Sequence, residues 1–219
     1  MVLHKMFRSI LTVSLMTLLS RITGLIRDIA FAQILGSGQV ADAFFVAFRI
    51  PNFFRRIFAE GAFTAGFVPV YAEYESRYPA PQVRLFLDLM LGRLALILLL
   101  FTLLGVLGAP WLVAMIAPGF VEQADKYAAT VSALRFTFPY LFFVSLVAMA
   151  GGILNARDRF AVPAVTPVLL NLCLIGAVIW AVPFATNKAL TLGIGVFVAG
   201  MVQLGFQLPF LAFEKRLPV

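Results

Sequence analysis

The sequence predicts an all-α polytopic membrane protein, and three observations carry that prediction. Of its 219 residues, 62% are hydrophobic and only 12% charged, where soluble chains are about half apolar and a quarter charged. The mean hydropathy is +1.00. Apolar runs of about 20 residues, the length a helix needs to cross a bilayer, recur along the chain. These runs do not alternate apolar with polar residues, which excludes the strands of a membrane barrel.

Six spans are expected, in the order 9–35, 41–58, 85–108, 127–154, 162–183 and 189–213. The first resembles a signal peptide: His4, Lys5 and Arg8 precede an apolar stretch that ends at Ala30-Phe31-Ala32. The charged Arg27 and Asp28 just before that triplet oppose cleavage, so the segment is expected to remain as a transmembrane helix. It ends at Gly36-Ser37-Gly38. In the second, Pro51 removes a backbone donor and is expected to kink or break the helix. An aromatic, polar-flanked segment, 61–78, reads as an interfacial helix. Pro139, Pro163 and Pro167 predict bent helices in the fourth and fifth spans. The whole chain reads as one membrane-embedded domain, 1–219.

Charge sets the expected orientation. Lys5, Arg8, Arg77, Arg84, Arg157, Arg159, Lys215 and Arg216 fall on one side of these spans, and Lys126 and Lys188 on the other. The positive-inside rule places the first side, with both termini, in the cytoplasm. This topology accounts for most of the net charge of +7. The basic residues lie at helix ends or singly inside spans, so a nucleic-acid partner is not expected. Cys173 is the only cysteine and His4 the only histidine. No intrachain disulfide, metal cluster or histidine-based catalysis follows from such a set, and neither a metal nor a cofactor is expected. The chain reads as a non-enzyme.

The informative residues are the charges at membrane depth. An ionisable side chain there costs at least about 2.5 kcal/mol and usually faces a bundle interior or a water-filled cavity. In "SRITGLIRD", Ser20, Arg21, Gly24, Arg27 and Asp28 share a helical face of roughly 120°. Gly24 leaves room on it for a ligand or a second helix. In the second span, Asn52, Arg55, Arg56 and Glu60 share a broad face, and the spacing of Arg56 and Glu60 suits an ion pair. Arginine stays charged and offers a planar fork to phosphate or carboxylate. Arg21, Arg27 and Arg55 on neighbouring helices would make a cationic pocket for an anionic amphiphile, and a lipid diphosphate fits both requirements. Plainer readings stand beside this one: Arg55 and Arg56 as cytoplasmic anchors, and Arg27 with Asp28 as a structural ion pair. Arg49 is ambiguous, and Arg135 reads either as a cavity charge or as an interfacial residue.

The runs "SRITGLIRDIAFAQILGSG", "ADAFFVAFRIPNFFRRIFAEGAF" and "FVPVYAEY" resemble the N-terminal region of the MurJ (MviN) lipid II flippases. "APWLVAMIAPGF", "FTFPYLFFVSLVAMAGGILNARDRFAVPAVTPVLLN" and "QLPFL" continue the match in order. That family belongs to the multidrug/oligosaccharidyl-lipid/polysaccharide exporter superfamily. The resemblance implies a bacterial inner-membrane protein that moves undecaprenyl-diphosphate-linked peptidoglycan precursor to the outer leaflet by alternating access. It implies diphosphate contacts at Arg21, Arg27 and Arg55, functionally sensitive positions at Ser20 and Asp42, and pairing or gating roles at Asp28 and Glu60. The shared helix face adds Asn52 as a candidate substrate contact and Arg56 as a candidate charge-pairing or gating residue. The family carries two six-helix lobes and, in most members, two more helices. This chain would be one lobe of an exporter-type fold, a fragment or half-transporter that works with a C-terminal lobe or a second copy, among membrane lipids. The ending "EKRLPV" reads as an inter-helix loop cut short. A related exporter of drugs or other polyprenyl-linked glycans is one alternative, and a non-transporting membrane fragment or assembly subunit is another.

Overall fold

The computed structural model describes residues 2–57 and 63–213, and these contain helices and turns with no strand. Among the described residues nine α-helices follow one another: α1 (Val2–Leu35), α2 (Gln39–Arg55), α3 (Phe63–Arg77), α4 (Ala80–Leu107), α5 (Ala109–Ile116), α6 (Ala124–Thr137), α7 (Tyr140–Ala156), α8 (Ala161–Gly176) and α9 (Lys188–Phe213). Five stretches among the described residues are long and apolar enough to cross a membrane: Ile10–Leu35, Ala80–Leu107, Ala124–Ala156, Ala161–Phe184 and Lys188–Phe213. The expected second span corresponds to α2, whose 17 residues include Asp42, Arg49 and Arg55.

Three expectations about elements change. The third span begins at Ala80, five residues ahead of the expected 85, because the helix starts directly after Pro79 and carries Arg84 in its first turns. The stretch 127–154 is two helices, not one. Their joint is Phe138-Pro139, where the proline cannot donate to the ladder. The third concerns Pro51, which does not break α2: the helix continues to Arg55. A proline at 51 leaves the carbonyl of Ala47 without its intrahelical donor. The Thr137 hydroxyl of α6 donates to that carbonyl at 3.0 Å, in a wholly buried setting. Tertiary structure thus replaces the bond that the sequence removes. The segment 61–78 is represented by α3, and residues 61 and 62 lie outside the described residues.

Packing is centred on α6, α7 and α9. One core cluster draws Phe44, Leu134, Tyr140, Leu174, Leu192 and their neighbours from α2, α6, α7, α8 and α9. A second joins α3 and α4 to α7 and α9 through Phe67, Tyr71, Leu87, Met149 and Leu154. Helices in lipid gain little from the hydrophobic effect between them, so close backbone approach matters. At the α6–α9 crossing a β-carbon on Gly193 would stand 2.8 Å from the carbonyl oxygen of Ala133. The helix α1 is different. It packs mainly on α8, and its other faces leave Ile10, Leu18, Leu25 and Ile29 exposed, as does the outer face of α4 with Leu96 and Leu104.

Candidate functional site

The arginines of α2 gather at its C-terminal half, because a helix brings residues three, four and seven apart to one side. Arg55 is half-buried and its Nε donates to the Asn52 side-chain oxygen at 3.2 Å. It borders two open cavities. One, of about 530 Å³, is lined by Arg49, Asn52, Arg55 and Arg56 with Phe45 and Phe48. The other, of about 420 Å³, lies between α2, α7, α8 and α9, where Arg55 meets Asn155, Thr166, Gln203 and Gln207. Arg49, ambiguous in the sequence, therefore lines the same depression as Arg55 and Arg56. Glu60 lies outside the described residues.

The floor of the second cavity is a buried amide cluster. Gln203 Nε2 donates to the Thr166 carbonyl at 2.8 Å, and Gln207 Nε2 donates to the Thr166 hydroxyl at 3.0 Å. Both glutamines are almost fully buried. Polar glue of this kind fixes the α8–α9 pairing.

A separate group forms on α1. Arg27 Nε and Nη2 donate to Asp28 Oδ1 at 3.0 and 2.8 Å. Its Nη1 donates to Asn171 Oδ1 of α8 at 2.8 Å. Asn171 Nδ2 in turn donates to the Ser20 carbonyl at 3.0 Å and to the Thr23 hydroxyl at 3.2 Å. Ser20 enters through its backbone. Asp28 is mostly exposed beside the shielded Arg27. Arg21 is exposed on α1 and is absent from the lining of the two cavities that Arg55 borders.

Asp42 stands apart from both groups. It lies thirteen positions before Arg55, roughly 20 Å along the helix. Its carboxylate pairs with Lys126 at the start of α6 at 2.7 Å, and that ammonium also rests 4.1 Å from the centre of the Phe120 ring. Arg135 is exposed on α6. On the opposite side of the molecule, Glu75 of α3 accepts from Tyr71 at 3.2 Å and from Arg157 Nε at 3.1 Å, and it is also paired with Arg157 Nη2. Partial burial works against the Arg157 charge, but the bonds to Glu75 and Tyr71 outweigh it and hold the guanidinium above its ordinary range.

The sequence reading did not single out Asn171, Thr166, Gln203, Gln207 or Glu75. A usable signal existed for three of them. Asn171 is a lone amide in an apolar run, and Gln203 and Gln207 are spaced to share one face of α9.

Comparison with known proteins agrees with this architecture. The family model described as "Lipid II flippase MurJ" matches residues 31–218. A probable lipid II flippase MurJ of Buchnera aphidicola subsp. Baizongia pistaciae is 41% identical over 204 residues, covering 93% of this chain and 40% of that protein. The lipid II flippase MurJ of Burkholderia cenocepacia is 40% identical over 214 residues, covering 98% of this chain and 42% of its own length. A solved structure, "Lipid II flippase MurJ, inward closed conformation", superposes with a TM-score of 0.78 at 26% identity, over 94% of this chain and 42% of that one. The chain therefore spans about 40% of the length of the curated relatives it matches.

Proposed function

The chain belongs to the MurJ family, and from that premise we propose that it forms the N-terminal lobe of a lipid II flippase in a bacterial inner membrane. Its task is to hold the diphosphate of the undecaprenyl-linked precursor while the lipid moves between leaflets. The observation that carries this reading is the placement of Arg55. Its guanidinium borders a cavity of about 420 Å³ between four helices, and Arg49 and Arg56 line the adjoining depression.

The chemistry follows from arginine's properties. The guanidinium keeps its charge in a poorly solvated site and meets phosphate oxygens through parallel N–H bonds. Asn52 accepts from Arg55 Nε and so fixes one edge of the guanidinium at the cavity border. Arg27, with Asp28 beside it, and Arg21 extend the positive field on α1, while Asp42 and Lys126 tie the far end of α2 to α6. Both termini face the cytoplasm, by the bias of lysine and arginine between the two sides. The lobe, 1–219, is one of two rigid bodies. Alternating access requires a second, supplied by a C-terminal lobe or by another copy of the chain. The activity is transport, with no bond made or broken.

Native mass spectrometry of the purified chain with lipid II tests the reading. Adducts are expected for the wild type and a loss of about tenfold or more for Arg55→Ala, since a charge-assisted bond contributes about 1.5–3 kcal/mol. Equal lipid II binding by the wild type, Arg55→Ala and Arg27→Ala would remove the cationic grip from the account.

A further inference from the structure

We propose that Asn171 of α8 is a positioning residue that sets the Arg27 guanidinium for anion capture; the inference rests on the diphosphate reading above. Asn171 is 5% exposed, and its side chain is fully committed. Nδ2 faces the Ser20 carbonyl, which can only accept, so the amide has one orientation and Oδ1 must point at Arg27. The Thr23 hydroxyl donates onward to the Leu19 carbonyl at 2.9 Å, which leaves it free to accept from Asn171. The relay Leu19–Thr23–Asn171–Arg27 is thus directional at every step.

A small residue at position 24 leaves room for the amide. A β-carbon there would stand 3.5 Å from Asn171 Nδ2, in ordinary contact, whereas a larger side chain on that face would displace the amide. The cation's own bonds are then countable. Arginine carries five N–H donors. Three are used, two on Asp28 and one on Asn171, so two remain for an incoming anion. A neutral amide oxygen orients the guanidinium and leaves its charge intact. Asp28 sets the other edge, and with both edges held the guanidinium is ordered before the anion arrives, which removes an entropic cost from binding.

Titration with farnesyl diphosphate, on the chain in nanodiscs, separates this role from helix packing. Asn171→Leu is expected to weaken affinity about fivefold or more and to add less than about twofold once Arg27 is alanine. A packing defect alone would weaken both backgrounds alike, and that result overturns the proposal. Asn171→Asp is a near-isosteric second variant. It keeps an acceptor on Arg27 but adds a negative charge that competes with the ligand, so it too must weaken binding about fivefold or more; wild-type affinity in Asn171→Asp would overturn the proposal. If Arg27→Ala binds as the wild type does, the diphosphate reading itself falls. If Arg27→Ala loses binding while both Asn171 variants keep it, only the positioning role falls.

Discussion

Replacing Thr137 by valine isolates one hydrogen bond between α6 and α2. Valine matches threonine in shape, so the change removes the hydroxyl and little else. Thr137 and Ala47 are both wholly buried, and the bond lost is the 3.0 Å contact to the Ala47 carbonyl. That carbonyl lacks its regular donor, because the residue four positions on is Pro51, and the hydroxyl's other acceptor, the Leu134 carbonyl, is farther at 3.3 Å. Interhelical hydrogen bonds in membrane proteins average about 0.6 kcal/mol and reach about 1.7. A buried carbonyl left unpaired belongs at the upper end, so Thr137→Val should cost about 1.5 kcal/mol. The Pro51→Ala background supplies the missing N–H, and there the same change should cost less than about 0.5 kcal/mol, a coupling near 1 kcal/mol. Reversible unfolding of the four proteins in mixed micelles measures both costs. An equal cost in the two backgrounds would refute the claim that Thr137 stands in for the donor Pro51 removed.

Three further outcomes follow from the geometry. Gly193→Ala drives a methyl to 2.8 Å from the backbone of Ala133, which no rotamer change relieves, so it should destabilise by about 1–3 kcal/mol; Gly24→Ala, in open contact, should stay within about 0.5 kcal/mol, and thermal unfolding in detergent compares the two. Asp42→Asn should cost about 1 kcal/mol by leaving the shielded Lys126 ammonium without its carboxylate, and the additional change Lys126→Met should recover part of it in the same melt. Glu75→Ala removes the acceptor shared by Tyr71 and Arg157, so α3 should loosen from α7; tryptic cleavage after Arg77 should accelerate several-fold while hydrogen exchange in α9 stays unchanged.

Fold class was legible because a bilayer constrains composition before it constrains anything else. Runs such as 85–108 and 189–213 are too apolar for water and too long for a buried core element; the second appears as α9 with its ends almost unchanged, and the first as α4, which starts five residues earlier. Pro139 announced a bend that became the joint between α6 and α7. Pro51 announced a kink or a break, and the helix is not broken. Its remedy is Thr137, 90 residues away, and no local pattern carries that information. Arg27 and Arg55 stood out for a related reason: a charge in an apolar run is expensive enough to require an explanation. Amides are cheaper. One Asn or Gln in a span raises little alarm, and its meaning depends on a partner such as Arg27, 144 positions from Asn171.

The two arginine groups share no direct bond among the described contacts, yet they meet on one helix. Leu170 of α8 lines the cavity that Arg55 borders, and the next residue, Asn171, holds Arg27. A single peptide unit therefore separates the wall of one group from the tether of the other. The same helix is fixed to α9 at Thr166, which accepts from Gln203 and Gln207, and α1 has few other attachments. Any displacement of α8 relative to α2 consequently carries Arg27 with it and changes the distance between the cations. On the proposed diphosphate reading, where the spacing of charges decides whether one ligand can meet both, the few polar side chains of α8 would belong to the site as much as the arginines the sequence displays.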